Sequence, residues 1–234
     1  MDPVIEIKQL TFQYPDGKQA LFGIDLVAMP GERIALLGAN GAGKSTLLNH
    51  LNGIFTGQGE IRIGGLELNK KNLGVIRARV GVVFQNPDDQ LFSPTVYDDV
   101  AYGPIHLGLD KKAVAEKVEQ ALRDVNMTEF GPRNPYHLSG GEKKRIAIAS
   151  VLSMSPQILV FDEPTAGLDP RSRRELIELL VQLPQTMLIA THDLPLVEQL
   201  TPRTILMNHG RLVADGPTAA ILANEQLLLD NGLR

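Results

Sequence analysis

The sequence predicts an α/β protein: a core of mixed strands and helices, with an N-terminal antiparallel β subdomain and an inserted helical subdomain. Three observations carry that expectation. Residues 34–48 read as a buried strand (Ile34-Ala35-Leu36-Leu37), a glycine-rich turn and a helix start. Short apolar runs at 80–84, 158–161 and 187–190 each lead into polar residues, as core strands do when they leave a sheet. Val114, Val118, Ala121, Leu122 and Val125 recur at a three-to-four-residue period, which marks one face of a helix. The chain, 1–234, is expected to form one domain, with 1–87 and 157–234 as the α/β core and 88–156 as the inserted helices.

Composition narrows the function. A chain of 234 residues can bury roughly 70–75% of its unfolded surface. It is 43% hydrophobic and 21% charged, which is ordinary for a globular protein. The net charge of −4 argues against nucleic acid as a partner, because phosphate binders carry a basic excess. No cysteine is present, so thiolate metal sites, disulfides and catalytic thiols are excluded. Met1-Asp2-Pro3-Val4 lacks a signal pattern, and no apolar run approaches the ~20 residues that span a bilayer. Any membrane role is expected to run through a partner.

Residues 4–37 are strand-rich. Val4, Ile5 and Ile7 open a strand that Leu10 to Tyr14 continues. Pro15-Asp16-Gly17 is a turn, and Ile24 to Ala28 alternates again. Tyr14 is either a half-buried packing residue or a platform on which an adenine ring could stack. The turn Gly38-Ala39-Asn40-Gly41-Ala42-Gly43-Lys44-Ser45-Thr46 fits G-x-x-x-x-G-K-[ST]. Its glycines allow a tight backbone whose N–H groups face phosphate oxygens, and the helix adds its positive end. Lys44 can reach the β- and γ-phosphates, and the Ser45 hydroxyl can ligate Mg2+.

The helix is expected to stop near Asn52-Gly53, and Gly59 to Leu68 to form a hairpin turning at Gly64-Gly65. After the Val80–Phe84 strand, Gln85 either adds an oxygen ligand to Mg2+ or lies in a solvated loop. Ser139 and Glu142 form a capping box at the start of a helix whose Gly140-Gly141 opening leaves N–H groups free for an anion. The run Lys143-Lys144-Arg145 reads as a solvated face. Asp162 and Glu163 leave a strand end together, which is costly unless they serve a function. Beside a phosphate loop, Asp162 would hold Mg2+ through water and Glu163 would orient and polarise the attacking water. Asp169 caps the next helix, with Pro170 at its first position. His192 follows the 187–190 strand, and ligands of open α/β sheets bind outside such carboxyl ends. His50, His106, His137 and His209 carry no comparable placement. A final hairpin turns at Asn208-His209-Gly210, and a helix starts near Pro217.

In order, the phosphate loop, Gln85, Leu138-Ser139-Gly140-Gly141-Glu142, Asp162-Glu163 and His192 resemble the ATP-binding-cassette ATPases over nearly the whole chain. The resemblance implies a P-loop NTPase core with a RecA-like mixed sheet, and ATP and Mg2+ as cofactors. It implies a head-to-tail dimer, either of two identical chains or with a paralogous ATPase. Two ATP molecules would lie between the phosphate loop of one subunit and the signature of the other. Ser139, Gly140 and Gly141 would then meet the γ-phosphate across the interface, with Glu142 closing the signature. Tyr14 falls where the family stacks adenine, His192 where it senses the γ-phosphate, and Asp169 where it couples the two sites. Glu142 stands where many members carry Gln, and Gly167 where Ser or Ala is common. The stretch after residue 215 is shorter than in some relatives.

A narrower resemblance lies in Phe84 to Phe92 and Thr95 to Pro104, which look like energy-coupling-factor importer ATPases, especially the cobalt and nickel type. It implies integral-membrane transporter subunits as partners and a peripheral position on the cytoplasmic face of the membrane. ATP hydrolysis would then power import without the cargo touching this chain. The alternatives are a vitamin-importing module of the same kind, a soluble cassette protein acting on DNA or ribosomes, and a nucleotide sensor without turnover.

Overall fold

The computed structural model describes residues 2–233. Ten strands form two sheets. The first holds β1 (Ile5–Gln13), β2 (Gln19–Ala28), β4 (Gln58–Ile63) and β5 (Leu66–Glu67), all antiparallel, in the order β2-β1-β4-β5. The second holds β3 (Arg33–Leu37), β6 (Val80–Val83), β7 (Ile158–Asp162), β8 (Thr186–Thr191), β9 (Arg203–Asn208) and β10 (Arg211–Pro217). Its order is β10-β9-β3-β8-β7-β6, parallel throughout except for β10. This is the mixed sheet the sequence predicts.

Both faces of the parallel sheet are covered, so its strands are apolar without alternation. In β7, Ile158 and Val160 pack with β1, β2 and α1 (Lys44–Leu51), while Leu159 and Phe161 face the helices on the other side. Those helices are α3 (Val96–His106), α4 (Lys111–Asp124), α5 (Gly140–Leu152) and α6 (Pro170–Gln182), and α3, α4 and α5 pack on one another.

Several local expectations hold. Gly53 ends α1 in the left-handed region, φ 69°, and Gly64-Gly65 turns the β4–β5 hairpin. Asp169 caps α6 through the Arg171 and Ser172 N–H groups, and Pro170 opens it. Other features depart from the sequence reading. Helix α2 (Leu73–Arg79) has no apolar periodicity, because it buries only Ile76. The strand around Ile24 begins at Gln19, five residues earlier than its alternation shows. The helix near Pro217 is two short ones, α8 (Thr218–Ala223) and α9 (Glu225–Asp230), broken where Asn224 caps the second.

The largest correction concerns Lys143-Lys144-Arg145. This run is not a solvated face. Lys144 is 2% exposed, Lys143 pairs with Asp88 at 2.7 Å, and Arg145 pairs with Glu175. The loop after β6 folds back over α5 and meets Lys143 and Lys144, while α6 supplies the partner of Arg145. Gln90 fastens it, donating to Ala147 O (2.8 Å) and Ser150 Oγ (3.0 Å) while accepting from the Phe84 N–H.

Candidate active site

The carboxyl ends of β3, β6, β7 and β8 lie along one edge of the parallel sheet, as their register requires. From that edge emerge the phosphate loop, Gln85, Asp162-Glu163 and His192. The loop is moulded against β9. A Cβ on Gly38 would stand 2.4 Å from Met207 O. Gly43 has φ 102°, and a Cβ there would meet Met207 Cε at 2.8 Å. Both positions therefore require glycine. The Gly210 N–H donates to Ala42 O at 2.9 Å, so the β9–β10 turn buttresses the loop.

The charged groups beneath the loop are buried and wired together. Lys44 is 6% exposed, and its Nζ donates to Gly38 O (2.7 Å) and Ala39 O (3.2 Å). Lys44 Nζ also lies 3.5 Å from Glu163 Oε1. Glu163 is held with φ 44°, a left-handed conformation that non-glycine residues adopt rarely. Its carboxylate accepts from Thr191 Oγ1 (3.0 Å) and from His192 Nδ1 (2.9 Å). Asp193 follows His192 and caps α7 (Leu194–Leu200) through the Leu196 N–H. Arg173 of α6 clamps both oxygens of Asp193, at 2.6 and 2.9 Å, and Thr165 donates to it at 2.9 Å. Burial alone would raise the Asp193 pKa, but these donors outweigh it and hold the carboxyl below the usual range.

Asp162 differs. Burial pushes its carboxyl above the usual value, although the Ser45 hydroxyl hydrogen-bonds it and Lys44 and Lys144 oppose the shift. Its Oδ1 is buried with no hydrogen-bond partner. An orphaned carboxylate oxygen beside the Ser45 hydroxyl, with Gln85 on the same cavity, is an oxygen-only donor set that suits Mg2+. Among the described residues no cluster of three or more His, Cys, Asp or Glu could hold a metal. One carboxylate that leaves room for substrate phosphates is how Mg2+ is commonly bound.

These residues line a cavity of about 670 Å3 together with Asn40–Thr46, Tyr14, Lys18, Gln19, Ala20, Phe22, the turn His209-Gly210 and Arg211 at the start of β10. The Tyr14 ring is half-buried. It meets Phe12 and Phe55 edge-on, and its hydroxyl hydrogen-bonds the Thr46 hydroxyl at 2.7 Å. The Arg211 guanidinium sits 4.8 Å over the Phe22 ring. Phe22 and Arg211 escaped the sequence reading, and His209, set aside there, lines the cavity as well. The signal was available: β9 runs parallel to β3, so its carboxyl end delivers Asn208-His209 to the same edge.

The signature is not brought to this cavity. Ser139 caps α5 by accepting from the Glu142 N–H, and Glu142 accepts in return from the Ser139 N–H at 2.8 Å, so the predicted capping box is present. The Ser139 hydroxyl holds the Glu142 carboxyl below its usual value. Of the signature glycines, Gly140 lines a second cavity of about 590 Å3, between the loop after β6 and Ala166-Gly167-Leu168. Gly141 packs on α6, where a Cβ would meet Ser172 Oγ at 2.7 Å. Asp169 is exposed and caps α6 through the Arg171 and Ser172 N–H groups. Gln85 and Asp162 line both cavities. Lys144, unassigned by sequence, joins the signature helix to this boundary by donating to Gln85 O. Burial pulls its pKa down to about 8 against the pull of Asp162 and Glu163.

Comparison with known proteins agrees. The pattern of the ABC transporter family matches residues 21–166. The energy-coupling factor transporter ATP-binding protein EcfA of Carboxydothermus hydrogenoformans is 48% identical, over 100% of this chain and 88% of its own length. The EcfA of Methanothermobacter thermautotrophicus is 47% identical, over 99% of this chain and 76% of its own. Among solved structures, CbiO1 of Clostridium perfringens, part of the ABC transporter complex CbiONQ, superposes with a TM-score of 0.87 at 37% identity. That match covers 100% of this chain and 96% of CbiO1. The chain belongs to the ABC transporter ATP-binding family and is an ATPase.

Proposed function

We propose that this ATPase is an energy-coupling-factor subunit that drives import of cobalt or nickel ions through separate membrane subunits. It works at the cytoplasmic face of the membrane as one half of a head-to-tail dimer. The observation that carries the reading is the separation of two half-sites. The phosphate loop with Asp162, Glu163 and His192 lines one cavity, and Ser139, Gly141 and Glu142 lie outside it. One chain therefore offers ATP a cradle but not the second helix N-terminus, while the exposed Ser139-Gly140 end of α5 is free to serve another chain. Among the described residues no helix is long and apolar enough to cross a membrane, which agrees with a peripheral subunit. The EcfA relatives support the transporter type, and the likeness to CbiO1 together with the 84–104 stretch supports the metal cargo.

In this reading Ser45, Asp162 and Gln85 would hold Mg2+. Mg2+ held there would neutralise negative charge on the nucleotide's phosphates. Lys44 gives its ammonium to the same phosphates in place of the Gly38 and Ala39 carbonyls. Glu163, fixed by Thr191 and His192, orients the attacking water and polarises it. His192 contacts the γ-phosphate, Tyr14 stacks on the adenine, and Asp169 couples the two sites across the dimer. Residues 88–156 move as the inserted unit, and residues around Phe92 and Tyr102, exposed on α3 and the loop before it, face the membrane partner. Only the triphosphate gives both subunits something to grip, so hydrolysis opens the dimer as a ligand-biased population shift.

The test is purification of the chain with its membrane companions, reconstitution in vesicles, and measurement of ATP-dependent uptake of labelled Co2+ and Ni2+. Uptake that requires both ATP and Glu163 is expected. Uptake of a vitamin but no metal would replace the cargo assignment. Failure to recover any membrane companion would overturn the transport reading.

A further inference from the structure

His50 has no role in the site described so far. It is 0% exposed and lies on α1, one turn beyond Thr46. Its Nδ1–H donates to the Thr46 carbonyl at 2.7 Å. That bond fixes the tautomer and leaves Nε2 with a lone pair, and Nε2 is buried with no partner. The ring also lines a small cavity of about 150 Å3 with Gly53, Phe55 and Gly57. Burial also holds the ring below the usual histidine pKa, although the Thr46 bond opposes this.

The geometry links the ring to the far end of the ATP cavity. Thr46 carries two bonds: its carbonyl accepts from His50, and its hydroxyl pairs with Tyr14 at 2.7 Å. His50 and Tyr14 also share two aromatic neighbours. Phe12 meets His50 at 4.7 Å and Tyr14 at 5.0 Å, edge-on in both cases. Phe55 meets them at 5.8 and 5.7 Å. Phe12 and Phe55 stack on each other at 5.0 Å. Gly57 closes the cluster, since a Cβ there would lie 2.4 Å from Thr11 O and 3.1 Å from His50 Nε2. His50, Thr46 and Tyr14 are thus joined twice, once by hydrogen bonds and once by rings.

We propose that His50 is a positioning residue for the base end of the nucleotide site, holding Tyr14 through Thr46 and the Phe12–Phe55 pair in the orientation that receives adenine. The inference rests on the reading of Tyr14 as the adenine platform. His50 touches neither phosphate nor base, so its effect falls on binding of the base and not on attack at the γ-phosphate.

The experiment compares MgATP with inorganic triphosphate, which has no base. Binding of each to the full chain is measured by calorimetry, and KM and kcat by phosphate release. His50→Leu is expected to weaken MgATP and raise its KM about fivefold, the scale of one buried hydrogen bond, with kcat falling less than twofold. Affinity for triphosphate should stay within twofold. His50→Asn, whose amide can donate as Nδ1–H does, should recover most of the loss, and His50→Gln, which reaches towards the Nε2 position, should not. Equal weakening of MgATP and triphosphate would mean damage to the phosphate loop and would overturn the proposal. Unchanged MgATP affinity in His50→Leu would overturn it as well. Should the leucine variant fail to fold, equal behaviour of the asparagine and glutamine variants would count against it. Tyr14→Ala separates the two readings. If it leaves MgATP binding unchanged, the platform reading falls and this inference falls with it. If it weakens MgATP binding while His50→Leu does not, only the role of His50 is lost.

Discussion

The phosphate-loop edge and the start of α5 both bind anions in principle, yet they are built in opposite ways. At the edge, Lys44 and Glu163 are each 6% exposed and bonded to several neighbours, and Thr191 and Lys44 hold Glu163 from two sides. At α5, Ser139 and Gly140 are exposed, and the Ser139 hydroxyl and N–H are satisfied within a single capping box with Glu142. The first arrangement fixes charges where water is excluded, which is what transition-state stabilisation needs. The second presents a helix N-terminus to whatever approaches it. In the proposed function, chemistry falls to the first region and assembly to the second.

The sharpest way to break that division is Glu163→Gln. A general base contributes ~10²–10⁴-fold to rate, so kcat should fall by about that factor while ATP binding persists. The variant should then run as an ATP-dependent dimer on sizing, and near-normal turnover would reject the role of Glu163. Next in size is Ser139→Arg, which puts a bulky charge at the presented end. ATP-driven dimerisation should weaken about a hundredfold or more, through a steric and charge penalty of several kcal/mol. Binding of ATP to the single chain should change less than about twofold, as for other surface substitutions. A dimer that survives would show that α5 does not meet the partner.

Asp162→Ala probes the orphaned Oδ1. The Mg2+ concentration for half-maximal turnover should rise more than about tenfold, since a ligand carboxylate supplies several kcal/mol. An unchanged Mg2+ titration would place the cation elsewhere, and chelation of Mg2+ in the unmodified protein should abolish turnover. The smallest effect belongs to Glu142→Gln, because glutamine can close the same capping box. At pH 7 thermal stability should differ by about 0.5 kcal/mol or less. The folded Glu142 carboxyl is held below its ordinary 4.5, so its contribution is present above that value and is lost as pH falls through the lower folded value. The native protein should therefore lose its small advantage over the variant below pH 4.5, as read from melting curves across pH 3–7.

Much of this was readable in the chain because it depends on local rules. Gly43 ahead of Lys44, Ser139 three residues before Glu142, and Asp169 before Pro170 each encode a helix start, and each start appears as expected. The apolar runs gave the parallel strands, and the rule for carboxyl ends gathered Gln85, Glu163 and His192. Misreadings arose where a distant segment covers a local pattern. Lys144 looks solvated until the loop after β6 folds over it, and Arg211 looks like an ordinary start of a hairpin strand until that hairpin is set against Ala42 and Phe22.

Residue order alone decided the anion-binding turn, the capped helices and the alternation of strand and helix, because each depends on neighbours a few positions apart. Tertiary packing decided that Lys44 and Glu163 share one buried site and that Asp162 keeps a bare oxygen. It also decided that His50 reaches Tyr14 through Thr46. Those relations join residues up to 119 positions apart, and burial that excludes water is a property of the assembled layers and not of any one segment.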